Sequence, residues 1–98
     1  MNWENININL GVLKENKTYD FEYKSTKDLL SDIVAIIPGC SNCTTIKGYN
    51  GNVLKVSYKT SVLPKHLDIL EQKINKKITI TYSNGTNEIL NFHGILKK

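Results

Sequence analysis

The sequence contains no arginine. Its net charge of +4 therefore rests on lysine alone. Arginine reads phosphates and base edges with a planar two-pronged fork, whereas lysine is a flexible point charge. The lysines are also spread along the chain, and only Lys73, Lys76, Lys77 and the terminal Lys97 and Lys98 cluster. A solvated lysine surface is expected, not a nucleic-acid face. Long apolar runs are lacking as well. The longest, residues 33–37, falls far short of the roughly 20 residues of a membrane-spanning helix, so no membrane partner is expected. No basic stretch followed by an apolar one opens the chain. This predicts no secretory leader and folding in the cytosol.

Histidine and cysteine are scarce, two of each. A zinc site takes four ligands, and nothing in the sequence brings His66 or His93 to Cys40 and Cys43. His93 alternates with Leu90 and Phe92 and is expected on the opposite, outer face of its strand. His66 is expected in solvent. There is no Gly-x-Ser-x-Gly frame, and Gly48 and Gly51 lack the following helix and Lys-Ser/Thr of a phosphate loop. The acidic residues are scattered, with no pair the pattern brings together. These absences predict no catalytic residues, cofactor, metal or small-molecule substrate.

What the chain does contain is alternation. Ninety-eight residues of ordinary apolar content make one domain, 1–98. Ile6, Ile8 and Leu10 alternate with asparagines until Gly11 breaks the pattern. Tyr19, Phe21 and Tyr23 alternate with Asp20, Glu22 and Lys24, placing three aromatics on one face. Residues 25–32 read as a loop with a short apolar plug at Leu29 and Leu30. Residues 33–37 are apolar on both faces and suit a central strand ended by Pro38-Gly39. A short strand is expected over 44–47, a turn over 48–52, and a strand over 53–59 with Leu54, Val56 and Tyr58 inward. Strands over 76–82 and 88–96 flank Asn84-Gly85, the strongest short-range hairpin signal present. In the intervening stretch, 60–75, Pro64 precedes Leu67, Leu70 and Ile74 at helical spacing. This predicts one short helix or helical turn near residues 64–74.

About seven short strands with turn signals roughly every ten residues predict an all-β fold. The expected form is an immunoglobulin-like antiparallel β-sandwich. The absence of a Cys…Trp…Cys spacing excludes an antibody-type domain.

Cys40 and Cys43 have the spacing of redox and metal-binding pairs. They end a strand and are followed by Thr-Thr-Ile, which starts helices poorly, so a thioredoxin-like context is missing. Structural thiols in a tight loop are the expectation, with a local disulfide and a metal or redox pair as the alternatives. A cytosolic setting disfavours the disulfide.

The order of features resembles a bacterial Ig-like family of unknown function, akin to Hydin-type and major-sperm-protein-type sandwiches. Residues 9–16 (Asn-Leu-Gly-Val-Leu-Lys-Glu-Asn) resemble its glycine-containing opening. Tyr19-Asp20-Phe21-Glu22-Tyr23 matches its alternating strand. Cys40-Ser41-Asn42-Cys43-Thr44 resembles its Cys-Gly-Cys-Thr motif, with two residues between the cysteines instead of one. Leu54 to Tyr58 resembles its next strand, and Lys77 to Asn84 and Phe92-His93-Gly94 match its closing strands. As a lone domain without a leader, the chain resembles the accessory proteins that decorate tailed-phage capsids.

The resemblance implies a non-catalytic, protein-binding structural module. Its most concrete form is a bacteriophage decoration protein, made in the host cytoplasm and resident on the virion. There it would bridge repeated shell subunits such as a major capsid protein. Alternatives are a cellular Ig-like interaction module of a bacterial surface or envelope assembly, or a small Cys-x-x-Cys redox or metal protein of the cytoplasm. The candidate partner-binding residues are Trp3, a tryptophan of the kind enriched at interface hot spots, and Val62, Leu63, Leu67 and Leu70, apolar residues outside the strand pattern. The alternative for Trp3 is a cap over one end of the sandwich, and for the 62–70 segment a cover over a sheet edge.

Overall fold

The computed structural model describes residues 2–29, 31–40, 42–50, 52–63 and 71–97. Over these residues the chain forms seven strands and no helix. They are β1 (Asn7–Lys14), β2 (Thr18–Lys24), β3 (Ile33–Pro38), β4 (Thr44–Asn50), β5 (Val53–Lys59), β6 (Glu71–Tyr82) and β7 (Asn87–Lys97). Four make one sheet in the order β1-β7-β6-β3, and three make another in the order β2-β5-β4. The expected all-β class holds. The sheets are not wholly antiparallel, because β1 runs parallel to β7.

Alternation sets the two faces of each sheet. Tyr23 of β2, Leu54, Val56 and Tyr58 of β5, Ile78 and Ile80 of β6, and Leu90, Phe92 and Leu96 of β7 all turn inward into one core. Phe92 sits at its centre, with its ring 4.8 Å from that of Phe21 and 5.2 Å from that of Tyr58, so the two sheets meet through aromatics. Such tilted and edge-on pairs add to the area they bury. The Tyr23 hydroxyl crosses the same gap and donates to the backbone carbonyl of Asn91, 2.6 Å away.

Four local expectations need correction. Gly11 does not end the first strand. It takes φ +75° inside a bulge, where Asn9 pairs with His93 and Val12 with Ile95. The extra residue shifts the alternation, so the inward set passes from Ile8 and Leu10 to Leu13. Next, β3 is not central but lies at the end of its sheet. Third, residues 48–50, expected as a turn, belong to β4. Finally, residues 71–74, expected in a helix, belong to β6 and pair with β7 from Glu71↔Lys97 onward. Ile74 lies four residues from both Leu70 and Ile78. A spacing of four satisfies the helical period and is also a multiple of the strand period of two, and the pairing offered by the long β7 decides between them. Residues 64–70 of the expected helix lie outside the described residues.

The Asn84-Gly85 hairpin is present, with Gly85 at φ +87° and Tyr82 N donating to Thr86 O over 2.9 Å.

Candidate partner-binding edge and sheet face

The cysteines form the link between sheets. After β3 the chain leaves one sheet and enters the other at β4. The turn between them is closed by hydrogen bonds from Cys43 N and Thr44 N to Cys40 O, 3.3 and 2.9 Å. This brings the two Cα atoms to 5.6 Å, within disulfide range, and Cys40 and Cys43 are joined. The expectation of free thiols is corrected accordingly. Among the described residues no group of histidine, cysteine or acidic side chains is placed to hold a metal ion.

The proposed contact residues divide. Trp3 is 1% exposed. Its backbone bridges to Ser25, its Nε1 donates to the Tyr82 hydroxyl over 2.9 Å, and its ring meets Tyr49 edge-on at 5.9 Å. It closes one end of the core. Leu63 is also 1% exposed. The chain reaches it through Thr60, whose buried hydroxyl donates to Lys14 O (2.6 Å) and accepts from Lys17 N (2.9 Å). That pins the segment to the β1–β2 turn and drives Leu63 into the core. Val62 alone of the described candidates points outward, at 54% exposure. Leu67 and Leu70 lie outside the described residues.

The exposed apolar surface lies elsewhere. The outer face of the three-stranded sheet is charged. It carries Asp20, Glu22 and Lys24 on β2 and Lys55 and Lys59 on β5. Lys47 Nζ lies 3.4 Å from Asp20 Oδ1. A hydrogen bond from the Ser57 hydroxyl, with the Lys47 ammonium second, holds the Asp20 carboxyl below its usual value. This is a solvated surface.

The outer face of the four-stranded sheet carries Lys73 and Lys77 of β6 and, beside them, exposed apolar residues. Ile37 of β3 pairs with Thr79 of β6, and Thr79 pairs with Ile89 of β7. These three form an uncharged row across the sheet, with Ile37 57% and Ile89 48% exposed. Ala35 and Thr81 extend it by one register step. Val34, at the irregularity between Ile33 and Ala35, is 65% exposed. A second apolar pair, Val12 and Ile95, lies farther along the same face. Between the two lies a polar band of asparagines and Lys77, in which His93 Nδ1 is 2.8 Å from Asn7 Oδ1. His93 is on the outer face, as its alternation predicted.

At one end of this face, β3 pairs with β6 on one side and with no described strand on the other. Its six residues, Ile-Val-Ala-Ile-Ile-Pro, carry no charge. Strand edges are normally blunted by charge, bulges or proline, because a free edge invites pairing with another chain. β3 has a proline and an irregularity but no charge, whereas the other sheet-edge strands carry charge: Lys14 on β1, Asp20, Glu22 and Lys24 on β2, and Lys47 on β4. Sequence reasoning passed over β3 because a run apolar on both faces reads as buried on both faces. A contrary signal was present in Pro38, since proline within sheets is confined to edges and strand ends.

Comparison of the chain with protein-family models, with curated proteins and with solved structures finds no match.

Proposed function

We propose that this protein is a non-catalytic, protein-binding module of immunoglobulin-like topology, and that it binds through the β3 edge and the apolar row beside it. The topology reading rests on strand order. With strands lettered in chain order, the three-stranded sheet reads B-E-D and the four-stranded sheet reads A-G-F-C. An immunoglobulin constant-type sandwich divides as ABED and CFG. The difference is the first strand. Residue 3 bridges to the end of β2 and the following residues cross to β7, so strand A changes sheets.

The observation that carries the functional reading is the exposure of Val34, Ile37 and Ile89 around an uncharged edge. Apolar surface of this kind marks sites of interaction. An edge with open backbone groups suits a partner that adds a strand. The concrete form of the proposal is an accessory subunit on a repeated shell, such as a phage capsid, where the β3 edge joins one copy to the next and many copies together gain by avidity what one small contact cannot supply.

The test is size fractionation of the native source, with mass spectrometry locating the chain. Wild-type protein is expected in the particle fraction. Ile37→Lys, an exposed substitution expected to change stability by less than about 0.5 kcal/mol, is expected at its monomer mass. Wild-type chain found at monomer mass refutes the shell form.

A further inference from the structure

We infer that the occupant of the β3 edge is a second copy of this chain, paired β3 to β3 antiparallel about a two-fold axis at Ile36. The inference rests on the reading of that edge as the binding element.

Backbone direction comes first. Gly39 N donates to Lys77 O over 2.8 Å. Pro38 is opposite Ile78 and Ile37 opposite Thr79. The backbones of Gly39 and Ile37 therefore point at β6, and alternation turns those of Ile36 and Pro38 toward the open side. Ile36 offers an N–H and a C=O there. Pro38 offers a C=O only.

This asymmetry selects the register. With the two-fold axis at Ile37, each Ile36 would face Pro38 of the other copy, and each Ile36 carbonyl would meet no donor. With the axis at Ile36, each Ile36 donates to the other and accepts from it. Pro38 then falls opposite Val34, so the carbonyl left without a donor lies at the end of the strand, where β3's own pairing is already irregular, and not at its middle.

The side chains fit the same register. Ile37 of one copy stands opposite Ala35 of the other on the outer face, a large residue against a small one, and symmetry repeats the match. Such directly opposed pairs are the closest side-chain contacts in an antiparallel ladder. Charge favours a copy as well. The chain carries +4 overall, yet β3 carries none, so two copies meet here without a like-charge contact. The other sheet-edge strands present charged side chains instead. A two-fold contact is closed: it joins two four-stranded sheets into one of eight and uses up the apolar edge of each copy, so growth stops at the dimer.

Sedimentation of the purified chain from micromolar to millimolar concentration tests this. The expected result is a mass rising reversibly from 11.1 kDa toward twice that value. Ile37→Lys is expected to raise the dissociation constant by about tenfold or more, while Val12→Lys, on the same face at the far edge, leaves it unchanged. The wild-type Ile36 amide, followed by hydrogen exchange, is expected to gain protection as concentration rises, a readout that needs no variant. A chain that stays monomeric throughout overturns the second copy and leaves the edge reading to the fractionation test. A dimer indifferent to Ile37→Lys, with Ile36 exchange unchanged, overturns the β3 self-contact and likewise leaves the edge reading to the fractionation test.

Discussion

Gly94 of β7 lies so close beneath the bulge of β1 that a β-carbon built on it would stand 2.9 Å from the carbonyl oxygen of Gly11. The same carbon would lie 3.0 Å from Leu13 Cδ1. Two glycines thus let β1 change phase over β7 and still bury Leu13. Gly94→Ala is expected to destabilise the fold by about 1–3 kcal/mol, as overpacking against backbone does. Gly11→Ala meets no atom but must hold φ +75°, and is expected to cost about 1–2 kcal/mol. Denaturant midpoints at unchanged slope measure both.

Trp3 is a core residue, so its substitution acts on stability. Trp3→Ala is expected to cost about 3–5 kcal/mol. Trp3→Phe keeps a ring but loses the hydrogen bond to the Tyr82 hydroxyl, and is expected to cost about 1–3 kcal/mol. Thermal unfolding of the two variants separates ring from hydrogen bond. A Trp3→Phe variant as stable as the wild type would remove the hydrogen bond from the account.

The Cys40–Cys43 link closes a very short loop. Chain-entropy arguments give such a loop about 2 kcal/mol. The Cys40→Ser, Cys43→Ser double variant is expected to lose about that much, to stay folded, and to keep its self-association. Loss of association from a folded double variant would mean that the crossover, and not β3 alone, forms the contact.

Burial raises the phenols of Tyr23, Tyr58 and Tyr82 above their ordinary value, with Tyr23 raised the most. For Tyr82 burial outweighs the opposing hydrogen bond from Trp3. Each phenol therefore stays protonated in the folded chain at a pH where the unfolded chain ionises. Their contribution is complete below about pH 10 and is lost progressively as pH climbs above it. The expected outcome is a falling denaturant midpoint at alkaline pH, with the phenolate absorbance of these tyrosines appearing only on unfolding. Phenolate absorbance rising freely near pH 10 in the folded protein, for all five tyrosines, would contradict it.

The strands were legible wherever one face is buried and the other wet. β2, β5 and the β6–β7 hairpin alternate cleanly, and the Asn84-Gly85 turn has the chemistry its backbone needs. The first strand was half legible, because a glycine inside a bulge looks the same in sequence as a glycine that ends a strand. The length of β6 was hidden because Leu70, Ile74 and Ile78 satisfy two periods at once. The parallel pairing of β1 with β7 carries no local signature, since the two strands stand at opposite ends of the chain. The burial of two candidate contact residues was hidden for a related reason. Apolar residues outside the alternation, such as Trp3 and Leu63, looked like surplus and proved to be core. The surplus that reaches the surface, Val34 and Ile37, lay inside a run that looked wholly buried.

Position-resolved photo-crosslinking in the native source tests the central claim most directly. A photoreactive residue replaces Ile37 on the β3 edge in one variant and Glu22 on the charged outer face in another. The account predicts a protein adduct in high yield from position 37 and none above background from position 22. Equal yields from the two positions, or no adduct from 37, would contradict it.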